Sequence, residues 1–397
     1  MLKITEDISN YIQTNKDKNI QELILKGSPF KDVEIQFLVN QINARQRLLK
    51  KLPKWLAYEA VIFPPQINLE QTSSQETARY KSTLAHGKTL IDLTGGFGVD
   101  SYFWAKKFNK VIHIDTNAEL IKLAKHNANV MEINNIEFLN KDSIDYLQEL
   151  DQKVDCIFID PSRRDQNKGR VFMLSDCSPN LIEHWKLVTS KTNQLIIKTS
   201  PLLDIKLGLK ELENVKEIHI VSVKNEVKEL LWIINTTSQN SVNKEPILKC
   251  VDLNNSTQME FEGDLKHEKN AKVSYAAPQK YLYEPLSTIM KSGLFNSLGE
   301  FYQIDKLAPN THLYTSNKLI HNFSGKVFEI LDVLDYKTKL LKKRLKSKNL
   351  NVVKKNFPIL VKDLIKKFKI NEGGEDYVFF TTSGNKKIVI LCKRIFE

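Results

Sequence analysis

Cysteine is scarce in this 397-residue chain, and the four present, Cys156, Cys177, Cys250 and Cys392, stand far apart without a CxxC pair. Their spacing implies neither a disulfide framework nor a zinc site, so no metal is expected, and reduced thiols in a cytoplasm are the simplest account. No apolar run approaches the ~18 residues of a membrane span. The opening MLKITEDISNYIQ also lacks the apolar core of a secretion signal. Acidic residues are in deficit, with 47 Asp and Glu against 59 Lys and Arg, a formal net charge of +12. That balance favours a polyanionic partner without establishing one. An apolar content of 41% can build real cores, and the length suits two or three domains of a soluble globular protein.

Glycine is also sparse, 14 in all, which makes the crowding of Gly95, Gly96 and Gly98 informative. The stretch KTLIDLTGGFGVDSYFWAKKFNKVIHID, Lys88 to Asp115, reads as strand, glycine turn, helix and second strand. Such a βα turn lets a ligand lie against the backbone of Thr94, Gly95, Gly96 and Gly98 at the start of the next helix. The second strand, Val111 to Ile114, delivers Asp115 about 20 residues beyond the turn, where a doubly wound sheet offers a carboxylate to ribose hydroxyls. The pattern D-x-x-G-G-x-G is not the G-x-G-x-x-G of dinucleotide binders. Asp92 at the strand end disfavours an anionic ligand and suits one with a cationic amino group. A βαβ unit without any cofactor is the plainer alternative.

At this point the stretch resembles the class I S-adenosylmethionine-dependent methyltransferases, whose first motif ends a strand with Asp or Glu and whose second places an acid on the ribose. The resemblance continues through KLAKHNANVMEINNIEFLNKDS, Lys122 to Ser143, which looks like the helix and third strand of RNA-type methyltransferases. It places Asp142 against adenine and implies S-adenosyl-L-methionine as the cofactor. Further strands are expected at Asp155 to Ile159, Gln194 to Lys198, Ile218 to Val223 and Glu229 to Ile234. Helix-length segments between the earlier ones predict a parallel sheet covered on both faces. The last two strands are too close for a crossover and must form an antiparallel hairpin. The expected fold is therefore α/β: a seven-stranded Rossmann-like sheet with an N-terminal helical region and small α+β C-terminal domains.

A second constellation is DCIFIDPSRRDQNKGR, in which Asp160, Pro161, Ser162, Arg163 and Arg164 leave the C-terminal end of the fourth strand. Ligands of open α/β sheets gather at that edge. Methyl transfer from a sulfonium to a lone pair is an in-line displacement, and near-attack positioning can supply about 7 to 11 kcal/mol. Asp160 and a carbonyl near Pro161 can accept hydrogen bonds from an exocyclic amine. The position resembles the D/N-P-P-aromatic motif of amino-methylating enzymes, with Ser162 in place of the second Pro and Arg163 in place of the aromatic. Base stacking on a ring is thereby lost, although a guanidinium can stack or bind phosphate. No cysteine follows Pro161, which disfavours cytosine-C5 chemistry. A sheet-edge loop with surface arginines is the alternative reading.

Before the first strand, residues 1 to about 60 carry apolar residues at helical spacing, and Pro64-Pro65 marks a break. The following LEQTSSQETARYK looks like the element that closes over the cofactor in the resembling families, which makes Gln71, Ser73 and Ser74 candidates for cofactor contact. A capped surface helix explains them equally well. Together these motifs resemble bacterial methyltransferases with a THUMP-like C-terminal domain, themselves similar to RNA cap guanine-N2 methyltransferases. The resemblance implies an N-terminal helical region over 1–78, a methyltransferase domain over 79–240, a ferredoxin-like domain over 241–335 and a THUMP-like domain over 336–397.

Between Lys337 and Lys369 the run KTKLLKKRLKSKNLNVVKKNFPILVKDLIKKFK holds Asp363 as its only acid. Its leucines space as two amphipathic helices with a basic side, including Lys342, Lys343, Arg344 and Lys346. With Arg163 and Arg164 these form a candidate track for ribosomal or transfer RNA; a solvated helix face is the bland account. The sequence thus points to an S-adenosylmethionine-dependent methyltransferase acting on an RNA base, an exocyclic amine being favoured. A non-catalytic RNA-binding protein on the same fold, or a methyltransferase of proteins or small molecules, stays open beside it.

Overall fold

The computed structural model describes residues 4–65, 69–70, 72–163, 173–237, 245–254 and 258–395. Gln71 and Arg164 lie outside them, as does the side chain of Arg163. The chain divides into two compact units, Met1–Ile218 with Glu229–Lys244, and His219–Lys228 with Glu245–Glu397. Among the described residues no helix is long and apolar enough to cross a membrane.

The first unit opens with helices α1 (Glu6–Thr14), α2 (Ile20–Lys26), α3 (Ile35–Leu48) and α4 (Pro53–Leu56). Thr5 and Asn19 cap the first two through side-chain oxygens. Ile8, Ile12, Leu23, Leu38 and Ile42 make their shared core. The far end of α3 contributes Ala44 and Leu48 to a second core with Trp55, Phe63, Phe97 and Tyr102. Two side-chain amides hold the segment before Pro64: Gln41 exchanges hydrogen bonds with the Phe63 backbone, both at 2.9 Å, and Asn127 does the same with Ile62. The N-terminal helices are therefore packed into the same unit as the sheet.

Helix α5 (Gln75–Lys81) leads to β1 (Gly87–Asp92), α6 (Val99–Trp104), β2 (Phe108–Asp115), α7 (Ala118–Val130), β3 (Ile136–Asn140), α8 (Ser143–Glu149) and β4 (Val154–Ile159). Two short strands follow, β5 (Ser162–Arg163) and β6 (Cys177–Ser178), then α9 (Trp185–Ser190), β7 (Thr192–Thr199), α10 (Ile205–Glu211), β8 (Val215–Val223) and β9 (Glu226–Asn235). The main strands order as β8-β9-β7-β4-β1-β2-β3. Pairs β1·β2, β1·β4, β2·β3 and β4·β7 are parallel, and β7·β9 is antiparallel. The chain runs outward from β1 to β3, then returns to β4 on the other flank of β1. That reversal is the switch point where open sheets bind ligands. The closing hairpin turns on Lys224 and Asn225 alone, at φ 52° and 62°, the left-handed pair of a two-residue turn.

In the second unit, β10 (Ile247–Leu253) and β11 (Gln258–Gly263) form an antiparallel pair. They extend the large sheet along the part of β8 that belongs to this unit, so the sheet has nine strands rather than the seven expected. Two short strands at a sheet edge leave little periodic signal. Beyond α11 (Leu265–Asn270) a separate sheet takes the order β13-β14-β12-β15-β18-β17-β16. It comprises β12 (Tyr281–Pro285), β13 (Asp305–Ala308), β14 (Thr311–Ser316), β15 (Gly325–Asp335), β16 (Asn349–Lys354), β17 (Asn371–Ser383) and β18 (Lys386–Arg394). Helices α12 (Ser287–Ser292) and α13 (Phe295–Tyr302) follow β12. The two helices read from leucine spacing are α14 (Thr338–Leu345) and α15 (Val361–Phe368). Leu341, Leu345, Leu364 and Phe368 pack them on Val378, Phe380 and Val389.

Candidate active site

The glycine turn is shaped from beneath by a buried histidine. Gly95 lies so close to His113 that a Cβ there would stand 2.3 Å from the imidazole, and Gly96 and Gly98 take φ of 54° and 89°. Those two conformations favour glycine, and the first position excludes any side chain. Asp92, only 1% exposed, accepts from Ser101 Oγ at 2.6 Å and from the Thr94 N–H at 3.2 Å. Burial pushes its carboxyl up to about 7, against the pull of the Ser101 hydrogen bond. Ser101 Oγ also meets His113 Nδ1 at 2.9 Å. Burial holds the imidazole pKa down to about 3, so it stays neutral.

Asp115 ends β2 half-buried, directly beside the turn. Its Oδ2 accepts from the Gly96 N–H at 2.9 Å and its Oδ1 from the Asn117 N–H at 2.7 Å. Two backbone donors fix the carboxylate and leave further lone pairs for a diol. Exposed Asp142 is the N-cap of α8, with Oδ1 accepting from Ile144 and Asp145 N–H at 2.8 and 3.2 Å. A Cβ at Gly96 would meet nothing nearer than the Thr94 carbonyl at 3.9 Å, so the turn presents an open backbone face beside Asp115. These residues fit the adenosine half of S-adenosylmethionine.

The loop after β4 is tied to the turn. Asp160 donates its backbone N–H to Thr94 Oγ1 at 2.7 Å, and its Oδ2 forms an ion pair with Lys198 Nζ. Pro161 is buried, while Ser162 is exposed and pairs with Ser178 across β5 and β6. Arg163 lies opposite Cys177 in the same ladder.

Ser73 and Ser74 occupy other positions than the reading as cofactor contacts suggests. Ser73 Oγ donates to Asp100 Oδ2 at 2.7 Å and accepts from Lys81 at 3.0 Å and Lys198 at 3.4 Å. One proton and two lone pairs are a hydroxyl's capacity, so these three partners engage the Ser73 side chain fully. Ser74 caps α5, accepting from the Thr77 N–H at 3.2 Å.

These bonds reveal four residues that sequence reasoning missed. Lys81, with no exposed side-chain area, meets Glu229 at 3.0 Å and Asp100 at 3.1 Å. Lys198 completes the group beside Asp160. A lysine inside the apolar run LIIKT was the one available signal. In the second unit Lys342, Lys343 and Lys346 are exposed, whereas Arg344 pairs with Asp332 of β15.

Comparison with known proteins assigns these parts to families. A methyltransferase domain family matches residues 84–243, a ferredoxin-like domain family 281–323 and a THUMP domain-like family 325–394. A crystal structure described as a candidate methyltransferase, from Porphyromonas gingivalis W83, is 27% identical, with a TM-score of 0.88 over 98% of both chains. A Thermotoga maritima protein called an uncharacterized RNA methyltransferase is 26% identical over 37% of this chain and 36% of its own. A Pyrococcus furiosus tRNA (uracil(54)-C(5))-methyltransferase is 30% identical over 34% of each. The chain thus spans about a third of the length of these curated relatives. Residues 84–243 thus match a methyltransferase domain family, and the same chain goes on to match a ferredoxin-like and a THUMP-like family.

Proposed function

We propose that the chain is an S-adenosylmethionine-dependent methyltransferase that modifies RNA at an exocyclic amine, such as N2 of guanine. The observation that carries this reading is the Thr94 hydroxyl holding the Asp160 N–H, because it fixes the acceptor carboxylate against the cofactor turn. When bound, S-adenosylmethionine supplies an electrophilic methyl on its sulfonium. Asp115 and Asp142 hold the adenosine, and Asp92 supports the turn and favours a cationic methionine end. Asp160 accepts a hydrogen bond from the substrate amine, with the Pro161-Ser162 turn orienting its lone pair in line. The relatives named for RNA methylation, the THUMP-like domain and the exposed Lys342, Lys343 and Lys346 support RNA as the substrate.

An amine is favoured over a pyrimidine C5, which requires a thiolate to add to the ring. All four cysteines are buried. Burial pushes Cys156 and Cys392 well above the ordinary thiol range and Cys250 up to about 12. The test is transfer of labelled methyl to ribosomal and transfer RNA from cells lacking the gene, followed by mass spectrometry of the nucleosides. An N-methylated base is expected. Cofactor binding with no transfer to any RNA would favour the non-catalytic RNA-binding alternative that the DPSR loop keeps open.

A further inference from the structure

A buried charge cluster lies at the strand ends where Asp160 sits. Ile159 of β4 pairs with Ile197 of β7, so Asp160 and Lys198 stand side by side one step beyond that pair. On the other flank of β7, Thr199 pairs with Leu230 of β9, which brings Glu229 to the same edge. Ser73 and Lys81 come from around α5, and Asp100 from the first turn of α6. Two ammonium groups therefore face three carboxylates, and Lys198 is the member that joins the cluster to Asp160.

The two lysines have different surroundings. Lys81 is fully enclosed and bonded to Glu229, Asp100 and Ser73. Lys198 keeps 13% side-chain exposure and Asp160 33%, so this pair opens toward the site. Burial works against the charge on Lys198, but Asp160, Glu229 and Asp100 together hold its pKa above the ordinary lysine value. An aspartate on a loop would otherwise rotate about its side-chain bonds. Here its backbone is tied to Thr94 and one of its oxygens to Lys198.

We propose that Lys198 is a positioning residue for methyl transfer: it holds Asp160 Oδ2 on the β7 side and leaves Oδ1 to receive the acceptor amine. Ser73, Lys81, Asp100 and Glu229 keep Lys198 in place from behind. This inference rests on the reading of Asp160 as the acceptor-binding carboxylate. It assigns Lys198 no contact with the methyl group.

The experiment compares Lys198→Met, Lys198→Arg, Asp160→Asn and the Lys198→Met/Asp160→Asn double variant in the full-length protein. Methyl transfer to RNA from cells lacking the gene, calorimetric titration with S-adenosylmethionine and thermal melting are all measured. Lys198→Met should lower kcat by up to about 100-fold, the scale of a 1 Å misplacement, with cofactor Kd and RNA KM nearly unchanged. Lys198→Arg should recover most of the loss because it keeps a donor and the charge. The double variant should be no slower than Asp160→Asn, because the two residues act through one contact. Losses that multiply, or a folded Lys198→Met with parental kcat, would overturn the proposal. If Lys198→Met fails to fold, Lys198→Gln, which keeps a donor without the charge, takes its place: a folded Lys198→Gln with lowered kcat and parental cofactor Kd supports the role, and one with parental kcat overturns it. A parent protein that binds cofactor but methylates no RNA would defeat the functional reading, and the Lys198 role with it. An active parent with indifferent Lys198 variants defeats only the latter.

Discussion

Thr94 Oγ1 accepts the backbone N–H of Asp160 at 2.7 Å, so one hydroxyl couples the turn after β1 to the loop after β4. Replacing it by the near-isosteric Val strands that donor, at a cost of about 1 to 3 kcal/mol when buried. Thr94→Val is expected to fold, melt lower and lose most turnover, while Thr94→Ser keeps both. Parental turnover in Thr94→Val would show that the coupling has no part in positioning Asp160.

The Asp115 carboxylate is held by two backbone amides at 2.7 and 2.9 Å, ready for ribose hydroxyls. Charge-assisted hydrogen bonds contribute roughly 1.5 to 3 kcal/mol, so Asp115→Ala should weaken cofactor binding by about 10- to 150-fold. The measurement is calorimetric titration of the folded variant. Unchanged affinity would remove Asp115 from the cofactor site.

Asp92 gives the protein a pH dependence of definite sign. Burial raises its carboxyl to about 7, so the folded chain keeps a proton that the unfolded chain releases near the ordinary carboxylate value. Between those two pH values stability falls as pH rises, and it levels off above about 7. Asp92→Asn should flatten that portion of the stability profile, read by denaturant unfolding across pH 4 to about 8. A cationic methionine end favours the ionised form, so cofactor affinity in the parent should strengthen over the same window, and the slope should vanish in the variant.

The exposed lysines of α14 offer a separable test of RNA binding. Arg344 is already paired with Asp332, so the charges to reverse are Lys342, Lys343 and Lys346. Each phosphate that is no longer neutralised should flatten the log-log salt dependence of single-strand binding by about 0.7. Lys→Glu at the three positions should therefore weaken RNA affinity and reduce the slope while leaving cofactor affinity as it was. An unaltered slope would mark the face as merely solvated.

The sheet and its turn were legible in the sequence because their signals are local. An apolar run ending in Asp92, three crowded glycines and an acid on the next strand need only neighbouring residues to be read. The charge cluster was not legible, since its contacts join residues 125 positions apart for Ser73 with Lys198 and 148 for Lys81 with Glu229. Lys81 sits in the polar helix QETARYK, where nothing marks it as fully buried. For Ser73 the sequence showed only its place before a capped helix, and not the Asp100, Lys81 and Lys198 partners of its hydroxyl. The strand count was underestimated because β10 and β11 follow a polar segment and resemble short loop-flanked runs.

Strand β15 begins against β12, which lies in the ferredoxin-like match, and continues against β18 near the end of the THUMP-like match, with a register shift between Ile330 and Asp332. One continuous strand thus supplies hydrogen-bond partners to both regions. Severing the chain near residue 324 would leave β12 with an unpaired edge on one piece and β15 with one on the other, the open template that invites aggregation. The two regions should accordingly melt in a single transition, so the boundary between the two family matches is not a boundary in cooperativity.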